Sequence, residues 1–253
     1  MPSTQETVLV TGVTRGIGAQ LLDQLLARQN TKVIAAVRDL SAAAAKKLVK
    51  QSQTNQNLIV VKIDSEVQTD PQNAARVVRD QHGIDHIDAI IANAGVATDW
   101  APVLEIKAEN VQRSMNINVL ASILLFQAFE PLLSKSANPR MLFVSTVGSS
   151  LSLARQMPFN CSTYGGSKAA LNFIAMRIAI EHPTITSLTL HPGMVETDMA
   201  TNAHTANKLD FAESGAISPE QSARAILKLA DDAKVETHSG KFFDAQSGSE
   251  LPW

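Results

Sequence analysis

Short β-branched and aliphatic runs alternate with longer stretches of helical periodicity along the whole chain. Strand-like runs at 7–11, 32–37, 58–63, 87–92, 140–144, 186–190 and 241–243 are separated by helix patterns at 17–28, 41–50, 70–82, 109–134, 163–182 and 219–233. Parallel neighbours in a sheet need a long return connection, so strands alternating with helices of this length imply βαβ crossovers. The strand runs are apolar almost without interruption, as expected of strands covered on both faces. The pattern predicts an α/β fold: a doubly wound parallel sheet of about seven strands with helices on both faces. No repeat, linker or charge block marks a boundary, and α/β units commonly run to about 250 residues, so 1–253 is read as one domain. Two segments lack periodicity, 147–162 and 194–218. Loops that long in a compact α/β domain usually act as lids or binding loops, and 194–218 is expected to be a substrate loop.

Charge and cysteine content narrow the function. Lys and Arg total 22 against 24 Asp and Glu, which leaves no electrostatic footprint for nucleic acid or an anionic membrane. The single cysteine, Cys161, permits neither an internal disulfide nor a thiolate zinc site, and no histidine pair has metal-ligand spacing with a third ligand. Met1 to Glu6 lacks the basic start and apolar core of a secretory signal. The most apolar stretch, 117–129, is interrupted by polar residues and is shorter than the roughly 20 residues a bilayer span needs. A cytoplasmic protein acting on a small molecule without a metal is expected.

The first strand runs into Thr11-Gly12-Val13-Thr14-Arg15-Gly16-Ile17-Gly18, and a helix pattern begins at once. Gly12 suits a tight turn, Gly16 a close backbone approach to a pyrophosphate, and Gly18 close packing of helix on sheet. The helix amino terminus offers unpaired N–H groups to the anion. A dinucleotide site is expected here. The residue that reads the adenosine ribose should follow about 20 positions later, at the end of the second strand. That strand ends in Arg38-Asp39. A guanidinium suits a 2′-phosphate, and with Arg15 as a second cation the pair favours NADP(H), whereas Asp39 alone would favour NAD(H).

Tyr164 and Lys168 lie four apart at the start of a predicted helix and therefore share a face. A neighbouring ammonium stabilises a phenolate and is expected to lower the tyrosine pKa toward a useful acid/base range. The fifth strand ends in Ser145-Thr146, at the carboxyl edge where ligands bind in open α/β sheets. Asn93-Ala94-Gly95 ends the fourth strand at the same edge, and Asn118 lies in the long helix that follows. Leu153, Met157, Phe159, Trp100 and Met199 flank this point and are candidates for an apolar pocket.

Together with Pro192-Gly193-Met194-Val195-Glu196-Thr197, these ordered motifs resemble the short-chain dehydrogenase/reductase family over essentially the whole chain. The resemblance implies a Rossmann-type fold. It implies that Tyr164 exchanges a proton with the substrate oxygen, that Lys168 binds the nicotinamide ribose and lowers the tyrosine pKa, and that Asn118 anchors a water in the proton relay. A strand-end hydroxyl would hold the carbonyl. The family usually has two serines there, the second catalytic, so Thr146 is the expected residue with Ser145 in reserve. Asp64 would hold adenine, Asn93 would face the adenosine ribose, Val195 and Thr197 would contact the carboxamide, and Pro192 and Gly193 would belong to the same cofactor site. The interval from Thr146 to Tyr164 exceeds the family's common spacing, which suggests an added loop over the substrate.

Within the family, the ending 240–253 resembles the sniffer-type carbonyl reductases and the norsolorinic acid ketoreductases. That implies NADPH-dependent reduction of an aromatic, polyketide or diketone carbonyl to a secondary alcohol. NADP-dependent oxidation of a secondary alcohol would use the same residues, and a sensor that binds NADP(H) without turnover is the reading from another class. Many family members pair through helices corresponding to 109–134 and 163–182, which points to a homodimer, although the same tail also occurs in monomers.

Overall fold

In β1 (Glu6–Thr11), Val8 and Val10 pack into one apolar cluster and Leu9 into another, because successive side chains leave a strand on opposite faces. The same alternation recurs in β2 (Thr31–Val37) and β5 (Arg140–Val144), where Leu142 and Val144 join the first cluster and Met141 and Phe143 the second. A sheet apolar on both sides needs helices on both. The computed structural model describes residues 5–157 and 159–253; the stretch Met1 to Thr4, on which part of the signal-peptide expectation rests, lies outside the described residues.

Seven parallel strands form one sheet in the order β3-β2-β1-β4-β5-β6-β7, with β3 at Leu58–Lys62, β4 at Ala89–Ala92, β6 at Thr186–His191 and β7 at Phe242–Asp244. One face carries α1 (Gly16–Leu26), α2 (Ala43–Ser52) and α8 (Pro219–Asp232) through residues such as Leu21, Leu25, Ala45 and Ile226. The other carries α3 (Asp70–His82), α5 (Ala121–Leu133) and α6 (Ser162–Glu181) through Val78, Phe129, Leu133 and Leu171. Full burial of each such Leu, Ile or Phe contributes about 1.5–3 kcal/mol. The expected Rossmann-type, doubly wound architecture is therefore the fold. The chain leaves β3 at one edge and crosses back to β4 beside β1, so strand order reverses between β1 and β4, where a crevice opens at the carboxyl ends.

Three local features depart from the expectation. The long helix is not continuous: α4 (Ala108–Met115) passes through a π turn (Asn116–Leu120) into α5. Single π turns concentrate at functional sites, and this one carries Asn118. The run Ala108–Leu133 is also long and apolar enough, by length and composition, to cross a membrane, contrary to the reading that its apolar stretch is too short; in the fold Leu125, Phe126, Phe129, Leu132 and Leu133 are spent on the core. Third, the 194–218 segment contains a helix, α7 (Asp198–Asn207), started by a hydrogen bond from Ala200 N to Thr197 Oγ1. A further short helix, α9 (Val235–His238), precedes β7.

Candidate active site

A cleft of about 700 Å³ runs along the carboxyl edge, from the β1 turn across the ends of β2 and β3 to the start of α6. Gly12, Thr14, Arg15, Gly16, Ile17 and Gly18 form its floor. The turn is fixed from below. Asn93 Nδ2 donates to the carbonyls of Thr11 and Gly12 at 3.0 and 3.4 Å, and Thr11 Oγ1 accepts from the N–H groups of Asn93 and Ala94. A Cβ at residue 18 would fall on the Gly12 carbonyl and 2.6 Å from Asn93 Nδ2, so glycine there is a packing requirement. Asn93 borders the cleft, but its amide nitrogen is committed to the turn, leaving only its carbonyl oxygen for the ribose contact that the resemblance implies. No side chain caps the amino end of α1 and its first turn carries no acid, so its N–H groups stay available to an anion.

Arg38 lines the cleft at the end of β2 and forms no ion pair among the described residues. Asp39 turns into its own loop. Its Oδ1 accepts from Ser41 N at 2.8 Å and Ser41 Oγ at 2.7 Å, which hold its carboxyl below the usual range. Arg15, the other expected cation, reaches across the mouth to an ion pair with Asp198 at the start of α7, both side chains about three-quarters exposed. Asp64 lines the cleft beside Ile63, with Oδ1 accepting from Glu66 N at 3.0 Å.

At the other end, Tyr164, Lys168 and Thr146 border the same cleft. Lys168 is buried and its Nζ donates to the Val144 carbonyl at 2.7 Å, 6.0 Å from the Tyr164 ring centroid. The expected lowering of the tyrosine pKa is reversed: burial, and then the neighbouring Cys161, push the phenol above its ordinary value, while burial pushes the Lys168 ammonium down to about 8. With the ammonium held by a backbone carbonyl, desolvation outweighs attraction.

Just past β5, Ser145 and Thr146 both border the cleft but differ in what their hydroxyls are bound to. Ser145 is buried and its Oγ donates to Asn172 Oδ1 at 2.6 Å, so its hydroxyl is spent on the protein. Thr146 is part-exposed, and its Oγ1 accepts from Gly148 N at 3.2 Å, leaving its own proton for a ligand. Asn118 is buried and does not border the cleft. Its Oδ1 accepts from Val96 N at 2.9 Å, and its Nδ2 donates to Val96 O and Ser167 Oγ, each at 2.9 Å. Ser167 Oγ in turn donates to the Tyr164 carbonyl at 2.7 Å, so the side chain of Asn118 braces the first turn of α6.

Trp100, Met157, Phe159 and Met199 form an apolar wall, with the Trp100 ring edge-to-face with Tyr164 at 5.7 Å between centroids. Leu153, expected with them, does not border the cleft. The two aperiodic segments are fastened together: the buried His204 of α7 packs edge-on between Phe159 (5.1 Å) and Phe211 (4.8 Å), and Asn160 N donates to Asn207 Oδ1 at 2.7 Å. Pro192, Gly193, Val195 and Thr197 line the cleft between wall and glycine turn, with the Pro192 carbonyl held by Ser222 Oγ at 2.8 Å and Gln246 Nε2 at 3.2 Å. Val195 is pinned by a parallel bridge to Ile217. Cys161 also borders the cleft, and burial pushes its thiol up, away from the thiolate form.

Sequence reasoning did not single out Ser149, Ser167, Asn172 or Asp198. For Asn172 a signal existed: Tyr164, Lys168 and Asn172 follow at i, i+4 and i+8 and make one polar stripe on a core helix.

A glycine-floored cradle that a Cβ would fill, an uncapped helix amino end and Arg38 at the end of β2 fit a dinucleotide, and the tyrosine, lysine and threonine at the far end fit proton transfer to an oxygen. These features define an oxidoreductase of the NAD(P)-binding α/β class. The sequence model of the short chain dehydrogenase family matches residues 6–208. Short-chain dehydrogenase srdF of Neurospora crassa is 37% identical over 100% of both chains, and norsolorinic acid ketoreductase nor1 of Dothistroma septosporum 34% identical over 99% of this chain and 94% of its own. Among solved structures, the NADPH-bound carbonyl reductase from chicken fatty liver superimposes with a TM-score of 0.88 at 26% identity, covering 99% of this chain and 100% of that one. The chain belongs to the short-chain dehydrogenase family and is an oxidoreductase, and the ketoreductase and carbonyl reductase among these relatives are named for carbonyl reduction.

Proposed function

We propose that this enzyme reduces ketones with NADPH and that its substrates are aromatic or polyketide ketones. The observation that carries the cofactor assignment is at the end of β2: Arg38 faces the cleft without an ion pair while the carboxylate of Asp39 is engaged by Ser41. A guanidinium bordering the cleft answers the 2′-phosphate, whereas Asp39, outside the cleft lining and with Oδ1 held by Ser41, is poorly placed for a 2′-hydroxyl. The carbonyl reductase from chicken fatty liver was solved with NADPH, which agrees with this reading. The substrate assignment is supported by the wall of Trp100, Met157, Phe159 and Met199, whose apolar and aromatic faces suit a planar ring system, and by the likeness to norsolorinic acid ketoreductases.

When bound, the reduced nicotinamide supplies the hydride. The rest of the work falls to this chain's side chains. Thr146, its Oγ1 already accepting from Gly148 N, donates its proton to the substrate carbonyl and stabilises negative charge as it grows on that oxygen. Tyr164 protonates the oxygen; its raised pKa keeps the phenol proton in place until charge develops. Lys168, cationic below about pH 8, offsets the charge left on the phenolate. The apolar wall lowers the polarity beside the reacting centre, where such interactions are stronger than in water. The test is NADPH oxidation followed at 340 nm with aliphatic, aromatic and anthraquinone-type ketones, in parallel with NADH. NADPH-selective consumption with aromatic ketones is expected; equal rates with NADH would contradict the role of Arg38, and consumption confined to aliphatic ketones would contradict the substrate class.

A further inference from the structure

Behind the cleft, three buried polar side chains form a relay that the reaction itself does not use. Ser145 Oγ donates to Asn172 Oδ1 at 2.6 Å, Asn172 Nδ2 donates to Ser149 Oγ at 2.8 Å, and Ser149 Oγ donates to the Thr146 carbonyl at 2.6 Å. Both serine protons are thereby assigned, so the 3.2 Å approach of Ser145 Oγ to Ser149 Oγ carries none of its own. Ser145, Ser149 and Asn172 are each less than 5% exposed. Buried polar groups are costly unless paired, and a fully satisfied network rigidifies what it connects. This one connects two things that the proposed chemistry must keep in register. Its Asn172 end stands on the stripe of α6 that carries Tyr164 and Lys168, and its Ser149 end grips the backbone of Thr146. The helix and the strand-end segment are also pressed together: a Cβ at Gly165 would lie 2.5 Å from the Gly148 carbonyl, and Gly148 N is the donor to Thr146 Oγ1.

We infer that Asn172, acting through Ser149, is a positioning residue that sets the hydroxyl of Thr146 against the phenol of Tyr164. Asn172 is suited to this because it accepts and donates at once. A hydrocarbon of similar volume would leave Ser145 without its acceptor and Ser149 without its donor. The inference rests on the reading of Thr146 and Tyr164 as the groups that meet the carbonyl oxygen. It adds that Thr146 is aligned by a device on the same helix as Tyr164, which substrate never touches.

A double-mutant cycle separates positioning from general support of the fold, because groups that act as one unit are non-additive. With NADPH and a ketone that the wild type reduces, Ser149→Ala is expected to lower kcat about tenfold or more while the Kd for NADPH stays within about twofold. Asn172→Ala should do the same, and NADPH binding reports whether each variant is folded. In a Thr146→Ala background, Ser149→Ala should cost nothing further. Wild-type kcat in Ser149→Ala overturns the inference, as do losses that multiply in the Thr146→Ala background. Should Ser149→Ala unfold the chain, Asn172→Ala completes the same cycle. Unchanged kcat in Thr146→Ala would remove Thr146 from the chemistry and the relay's purpose with it. A loss at Thr146→Ala with none at Ser149→Ala sinks the relay alone.

Discussion

Lys168 and Tyr164 share one face of α6, yet the lysine Nζ donates to the Val144 carbonyl and stands 6.0 Å from the phenol ring centroid. Burial dominates both pKa values, raising the phenol and bringing the ammonium down to about 8. The sign of the pH dependence follows. Lys168 is cationic below about pH 8, where it can offset a developing phenolate, and neutral above it; the phenol keeps its proton across the same range. Carbonyl reduction should therefore fall about tenfold per pH unit above pH 8. Steady-state kcat from pH 6 to 10 checks this. In Lys168→Arg, whose guanidinium stays charged, the descending limb should vanish whatever the absolute rate.

Arg38 decides the cofactor in this account. Hydrogen bonds to charged groups contribute about 1.5–3 kcal/mol, so Arg38→Ala should weaken NADPH binding by about 10- to 100-fold and leave NADH within about twofold. Fluorescence titration of both cofactors measures it. An equal loss for both would mean that Arg38 supports the turn rather than reading the 2′-phosphate.

Arg15 is not free to join Arg38 while it is paired with Asp198. Exposed ion pairs contribute about 0.2–1 kcal/mol, so Asp198→Ala, which releases Arg15, should tighten NADPH binding by no more than about fivefold. Raised salt should shrink the difference between wild type and variant. A weakening instead would show that Asp198 organises the cleft mouth.

At Gly18 a Cβ has no room beside the Gly12 carbonyl. Forcing one in typically costs about 1–3 kcal/mol, and here the backbone that yields is the cofactor cradle itself. Gly18→Ala should lower Tm and abolish tight cofactor binding together. Calorimetry with and without NADPH would show the lowered Tm and the loss of ligand-induced stabilisation.

The strands were legible because burial on both faces leaves their centres mostly apolar, and the 140–144 run reappears without change as β5. Helix α7 was not. Its sequence is polar, and it is held by His204 wedged between Phe159 and Phe211, contacts that no local pattern contains. The choice between Ser145 and Thr146 was equally out of reach. Both border the cleft, and what sets them apart is that the Ser145 hydroxyl is bound to Asn172, 27 residues away in sequence. The tyrosine and lysine were found by spacing, but the direction of the tyrosine's pKa shift was misread, since burial is a tertiary property. The aperiodicity of 147–162 and 194–218 did mark the two segments that, with Trp100, form the apolar wall.

The most direct test removes one oxygen. With NADPH and an aromatic ketone reduced by the wild type, Tyr164→Phe should lower kcat by about 10²- to 10⁴-fold, the range typical of a lost general acid, while the Kd for NADPH changes less than about threefold. Retained turnover in Tyr164→Phe, with NADPH still bound, would place the proton source elsewhere and contradict the account.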